Sequence, residues 1–257
     1  MATDARTWIA ALRNSHDRLA ALAGPLTPEQ LRGRSYCTEW SIAQVLSHVG
    51  SGAEISTLML TSALDGTPLD REAFPPIWDT WNNKSPEDQA KDALTRDEEY
   101  VHRLEELTDD ELDSIHFGFF GMELDAAGLV SLRLSEHALH TWDVAVSLDP
   151  AAVVAPDAVA LLMGGIERFL RFGGKPSGDE FRVRVLTTDP DGDFLLDVAE
   201  SVTMSDWAPG ADTEGAVRVP AEVLLRLVYG RLDADHTPEV ITDGIDLDRL
   251  RAVFPGF

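Results

Sequence analysis

A single cysteine, Cys37, stands in a chain of 257 residues, so no internal disulfide can form. That usage suits a reducing cytoplasm, the compartment expected for this protein. There is no run of about 18 apolar residues, the length a membrane-spanning helix requires, although apolar residues make up 44% of the chain. The opening stretch MATDARTWIAALRNSHDRLAAL interleaves Asp4, Arg6, Arg13, His16 and Asp17 with apolar positions. This is helix patterning without the uninterrupted apolar core of a secretory signal. Positive charge is scarce: 21 Lys and Arg face 45 Asp and Glu, a formal net charge of −24. Such a surface repels nucleic acid and anionic membranes and favours solubility, so neither is expected as a partner. By the same token, an Arg or Lys that lines a pocket is expected to have a specific anionic partner.

What is there reads as helices first. Trp8, Ile9, Leu12, Leu19 and Leu22 recur at helical intervals over 4–23, before Gly24-Pro25. Thr27 with Pro28 and Gln30 forms a capping-box signature for a short helix. Ser41 and Gln44 form another, opening a long helix to about Leu64 in which Gly50 and Gly52 are weak points. A loop rich in Pro and aromatic residues follows, in which Trp78, Trp81, Asn82 and Asn83 are expected to cover the bundle's end or line a pocket mouth. Ser85-Pro86-Glu87 starts a helix to about Leu107, Thr108 caps a short acidic piece, and 126–148 forms the last long helix. Four long helices with mixed connections describe a helical bundle.

The composition changes near residue 150. PDAVALLMGGIERFLRFGG reads as one helix, and FRVRVLTTD alternates with Phe181, Val183 and Val185 on one face. GDFLLDVAESVTMSDW and TEGAVRVP read as strands with a hairpin turn at 190–193, Pro220–Leu232 as a helix, and DLDRLRAVFPGF as a short terminal helix. The expected fold class is therefore α plus α+β, with a four-helix bundle over 1–152 and a smaller α+β domain over 153–257.

Candidate chemistry centres on LSEHALHTWD, residues 134–143. Glu136 and His140, four apart, share a helix face flanked by Leu132 and Leu139. His137 lies about 100° round from Glu136 and is expected outside that site, on an exposed position. A buried carboxylate and imidazole need a partner. A divalent cation is one candidate; a plain Glu–His hydrogen bond and solvent exposure are the others. Among the seven histidines, His48 lies on the second long helix, so two helices can offer His48 from one side and Glu136 with His140 from the other. Two His and one carboxylate make an open site of the kind found in Lewis-acid zinc and non-haem iron centres. Arg133 and Asp143, one turn either side, are placed either to support these ligands or to lie on the surface. Cys37 reads as a packing residue, with no basic neighbour evident except Arg34.

CTEWSIAQVLSHV resembles the Cys-Pro-Gly-Trp block of the mycothiol-dependent maleylpyruvate isomerase family, part of the DinB-like metalloenzyme superfamily. RLSEHALHTWDVAVSL is similar to that family's Arg-x-x-Glu-x-x-x-His-x-x-Asp block, and VPAEVLLRLVYGRL with the terminal helix to the end of its second domain. The resemblance touches nearly the whole chain. It implies a DinB-like bundle followed by a sterol-carrier-protein-like α+β domain. It further implies a divalent metal, usually zinc, on His48, Glu136 and His140, and mycothiol as cofactor. Arg231 would be the basic residue that the family implicates in activity, able to hold a carboxylate of the thiol or substrate; its other reading is a surface arginine after a helix. Two departures, Thr38-Glu39 for Pro-Gly and Val219 for Gly, bear on the shape of the pocket.

The residue types fit that chemistry. A thiol is a weak nucleophile until its anion is favoured, and metal coordination favours it. The expected function is addition of an activated low-molecular-weight thiol to a small electrophile, as a maleylpyruvate-type cis–trans isomerase or a thiol S-transferase. The alternatives are a hydrolase acting through metal-held water, and a metal-binding module without turnover.

Overall fold

The computed structural model describes residues 4–119, 122–176 and 178–256. Its contacts divide the chain into two compact units, Met1–Ala158 and Val159–Phe257. The first unit is helical and the second mixes helices with a sheet, as the sequence predicts.

Four long helices build the first unit: α1 (Ala5–Ala23), then α3 (Ile42–Leu64) after the short α2 (Pro28–Leu31), and later α5 (Pro86–Glu105) and α7 (Ala126–Val146). Helix α1 packs on α5 and α7, and α3 packs on the same two, which closes a four-membered ring. The starts are fixed locally. Thr27 with Gln30 and Ser41 with Gln44 form the two anticipated capping boxes, and the Asp125 carboxylate accepts from the Gly128 N–H at 2.8 Å to open α7. Apolar positions at helical spacing, among them Leu19, Ile42, Val45, Leu46, Val49 and Val144, meet in one buried cluster.

Helix α3 runs unbroken through Gly50 and Gly52. At Gly50 a Cβ would stand 2.3 Å from the Trp81 ring and 2.9 Å from the Ala93 Cα. Glycine is there so that an indole and a neighbouring helix can approach the backbone.

The loop expected between the second and third long helices is largely helical. A 3-10 turn (Arg71–Ala73) leads into α4 (Phe74–Asn82), whose prolines occupy the first turn, where a missing N–H costs nothing. Trp81 is buried, its indole N–H bonded to Glu54 at 2.9 Å, whereas Trp78 is exposed. After α6 (Asp109–Ser114), β1 (His116–Phe119) and β2 (Met122–Asp125) pair antiparallel, with His116 opposite Asp125.

The 156–174 segment is two helices and not one: α8 (Pro156–Met163) and α9 (Ile166–Gly173), separated at Gly164-Gly165. Two consecutive glycines cost more helix propensity than the flanking apolar residues recover. In the second unit, β3 (Phe181–Thr188), β4 (Gly192–Val198), β5 (Val202–Asp206), β6 (Gly215–Pro220) and β7 (Ile241–Asp243) form a sheet of order β5-β4-β3-β6-β7. Only β3 and β6 run parallel, and β7 is a strand the sequence pattern does not reveal. Phe181, Val183 and Val185 share the buried face, on which α10 (Ala221–Val228) packs. Helix α11 (Leu247–Val253) closes the chain; the last residue of the predicted terminal helix, Phe257, lies outside the described residues. Among the described residues no helix is long and apolar enough to cross a membrane.

Candidate metal centre

Helices α3 and α7 lie side by side in the first unit. His48, on α3, presents Nε2 at 3.1 Å from Glu136 Oε2, and His140 Nε2 lies 3.6 Å from the same oxygen. One candidate ligand atom from each of the three residues falls within 4.8 Å of the other two. The two imidazoles are 4.6 Å apart between centroids. The i, i+4 pair on α7 and the lone histidine on α3 thus meet as their helical spacing allows.

The site opens outward through the carboxylate. The Glu136 side chain is 52% exposed and His48 36%, while His140 is only 9% exposed. Trp40, just before α3, leans over both rings, 5.3 Å from His48 and 6.4 Å from His140. A tight turn places it there, with the Trp40 N–H donating to the Cys37 carbonyl at 2.7 Å. The departure at Thr38-Glu39 therefore leaves Trp40 on the histidines.

Behind His140 stands Asp143. Its Oδ2 accepts from His140 Nδ1 at 2.8 Å and from the Cys37 thiol at 3.3 Å. A carboxylate can only accept, so Nδ1 carries the proton and Nε2 is turned toward Glu136. Asp143 is fully buried, one turn from His140, as anticipated for a residue that supports the ligands.

Two carboxylates, Glu136 and Asp143, converge on one imidazole, and the electrostatics follow. Burial by itself would lower the His140 pKa, but hydrogen bonding with Asp143, Cys37 and Glu136 raises it well above the ordinary histidine value. Hydrogen bonds from His140 and His48 hold Glu136 well below the usual carboxylate range. For His48 burial wins, keeping its pKa low against the pull of Glu136. The cluster gathers negative charge around a point where a cation, a proton or a metal ion, is favoured.

Other residues settle elsewhere. Arg133 does not reach the three candidate ligands. Its Nη2 donates to the Val49 carbonyl at 2.9 Å and pairs with Asp97 on α5. His137, expected on an exposed position, is fully buried, its Nε2 2.8 Å from Asp97 Oδ2 and its Nδ1 2.8 Å from the Ser15 hydroxyl. The correction has a plain cause: 100° round the helix from Glu136 there is another packed interface, that with α1. His16 on α1 completes this second cluster, with Nδ1 2.7 Å from Asp97 Oδ2 and Nε2 2.9 Å from Glu98 Oε2. Burial would raise the Asp97 pKa, but the charges of His137 and Arg133 and the hydrogen bonds from both histidines hold it well below the usual value. Burial lowers the His137 pKa, against the opposing pull of the Asp97 charge and hydrogen bond. Sequence reasoning missed this cluster, although His16, four residues after Leu12 on the apolar face of α1, was its signal.

Arg231 belongs to the second unit. It follows α10 after Gly230, is half-buried, and donates from Nη1 to the Tyr229 carbonyl at 3.0 Å. Val219 lies buried in β6 opposite Thr187.

A family model described as the mycothiol maleylpyruvate isomerase N-terminal domain matches residues 12–145. Among solved structures, the chain is similar to a crystal structure of the mycothiol-dependent maleylpyruvate isomerase. That match has 15% identity, 93% coverage of each chain and a TM-score of 0.67. A histidine-to-alanine mutant of that enzyme matches at 15% identity, with 93% coverage of each chain and a TM-score of 0.66. A comparison with curated proteins finds no match.

Proposed function

The chain belongs to the mycothiol maleylpyruvate isomerase N-terminal domain family, and from that premise we propose that it is a metal- and mycothiol-dependent enzyme. It activates the thiol for addition to a small electrophile bearing an activated double bond, as a maleylpyruvate-type cis–trans isomerase. The observation that carries this reading is the convergence of His48, Glu136 and His140 within 4.8 Å.

The donor set fits a zinc-like ion: two imidazoles, one carboxylate, and a side open to solvent. When bound, such an ion supplies the positive charge that eases deprotonation of a neighbouring thiol. The chain's own residues do the rest. Asp143 fixes the tautomer and direction of the His140 ring. Trp40 covers the outer edges of both histidines and narrows the approach. The open side of Glu136 marks where small molecules enter. Arg231 is assigned to hold an anionic group of the thiol or the electrophile.

Addition of a thiolate to an activated double bond turns it into a single bond; rotation followed by loss of the thiolate returns the trans isomer with the thiol regenerated. S-transfer keeps the thiol on the product instead. The test is an assay on zinc-replete protein with mycothiol and cis-configured electrophiles. Isomerisation without net loss of thiol is expected. Stoichiometric loss of thiol means an S-transferase, thiol-independent turnover a hydrolase, and no turnover with zinc still bound a binding module. Loss of the ion in His48→Ala and Glu136→Ala is required, and Arg231→Ala is expected to raise KM.

A further inference from the structure

Helix α10 carries a residue that grips the loop after it. Gly230 takes a left-handed turn, φ +69°, and a Cβ there would stand 2.3 Å from the Gly256 Cα, so no side chain fits. The turn sends the Gly230 N–H to the Leu227 carbonyl at 2.9 Å and the Arg231 N–H to the Arg226 carbonyl at 2.7 Å, the paired bonds of a Schellman ending. Arg226 then returns to the same residue with its side chain. Its Nη1 donates to the Arg231 carbonyl at 3.2 Å and to the His236 carbonyl at 2.8 Å. Nε and Nη2 lie 2.7 and 3.1 Å from the two carboxylate oxygens of Glu222, one turn earlier on α10. One arginine thus holds Arg231 by its N–H and by its carbonyl, and ties it to a residue further along the loop.

The pair is buried, with 4% of the Arg226 side chain and 12% of the Glu222 side chain exposed. Stability alone gives no reason for it. A buried ion pair replaced by apolar residues of like volume is often neutral or stabilising, and Val223, Leu224, Leu225 and Leu227 already make α10 apolar around it. What apolar residues do not supply is a donor for the two carbonyls. We propose that Arg226 is the positioning residue for Arg231, with Glu222 neutralising and orienting its guanidinium. The proposal rests on the reading of Arg231 as the residue that holds an anionic group of the thiol or the electrophile. A side chain binds an anion tightly when the backbone beneath it is fixed beforehand, whereas a loop that wanders must be ordered at the expense of affinity. A lysine at 226 keeps the charge beside Glu222 but, with one nitrogen, does not also span both carbonyls.

The test compares Arg226→Lys, and the apolar exchange of Glu222→Leu with Arg226→Met, against Arg231→Ala in zinc-replete protein turning over maleylpyruvate with mycothiol. Circular dichroism and melting establish which variants fold, and the apolar exchange is expected to fold as wild type does. Whichever KM rises in Arg231→Ala rises about tenfold in both Arg226 variants, the scale of one charge-assisted hydrogen bond, with kcat unchanged. Adding Arg231→Ala to either variant raises that KM no further than Arg231→Ala does alone, because both changes remove one contact. Hydrogen exchange of the amides over 229–237 quickens in both. An unchanged KM in the folded apolar exchange, an additive loss in the combined variants, or unaltered exchange overturns the proposal and leaves Arg231 its role. Absence of turnover in wild type, or an unchanged KM in Arg231→Ala, removes the underlying reading and the proposal with it.

Discussion

His140 and Asp143, three residues apart on α7, share a 2.8 Å hydrogen bond that turns Nε2 of the ring toward Glu136. Asp143 is buried, so its carboxylate, and not solvent, meets the Nδ1 side of the ring. Asp143→Asn keeps the shape but turns an acceptor of full charge into a neutral amide. Zinc affinity is expected to fall about 10–100-fold, read by competition with a chromophoric chelator, with the far-ultraviolet spectrum unchanged.

Zinc is expected to stabilise the first unit by mass action. At a hundredfold excess over Kd the gain is about 2.7 kcal/mol, or about 5–10 °C in melting temperature for a unit of this size. Differential scanning calorimetry with and without zinc measures it. His48→Ala should melt at one temperature in both conditions, and a zinc shift that survives in it would place the ion elsewhere.

Asp97 gives the fold a measurable acid dependence. Its native pKa is depressed by Arg133, His137 and His16, so its contribution is fully present above the unfolded value of about 4 and is lost as pH falls through that value toward the native one. Asp97→Asn leaves Arg133 buried without its counter-charge, at a cost of about 3–5 kcal/mol near neutrality. Urea unfolding of both proteins between pH 7 and 3 checks the sign: the gap between them should narrow on acidification. A constant gap would mean that Asp97 does not titrate differently in the folded state.

At Gly50 two effects oppose. Alanine gains up to about 1 kcal/mol of helix propensity, while overpacking a tight contact costs about 1–3 kcal/mol. With the Trp81 ring 2.3 Å and the Ala93 Cα 2.9 Å from the new methyl, packing wins. Gly50→Ala should lower the melting temperature, and by less when introduced into a Trp81→Ala background than into the wild type, because the ring it strikes is gone.

Local rules made the bundle legible. Capping boxes at Thr27 and Ser41 mark helix starts within a few residues, and the Glu136–His140 spacing needs only the pitch of one helix. His48 is reachable by asking which other helix could face that pair. What stayed hidden depends on which helices adjoin. Nothing along the chain joins His16, Asp97 and His137, which come from three helices, so His137 passed for a surface residue. Helix α4 was hidden differently, because Phe-Pro-Pro reads as loop wherever its place in a first turn is unknown. Strand β7 is three exposed residues whose only mark is pairing with β6.

Because β6 lies parallel to β3, the second unit cannot fold as a simple meander. Strands β3, β4 and β5 zip together in chain order, but Val217 must find its place opposite Val185 only after the chain has doubled back past both neighbours. Contacts so distant along the chain form slowly. During that delay the outer edge of β3, with its alternating valines, is an unpaired template open to other copies. Loss of protein to aggregates during synthesis should therefore track mutations in β6 more closely than mutations in the bundle.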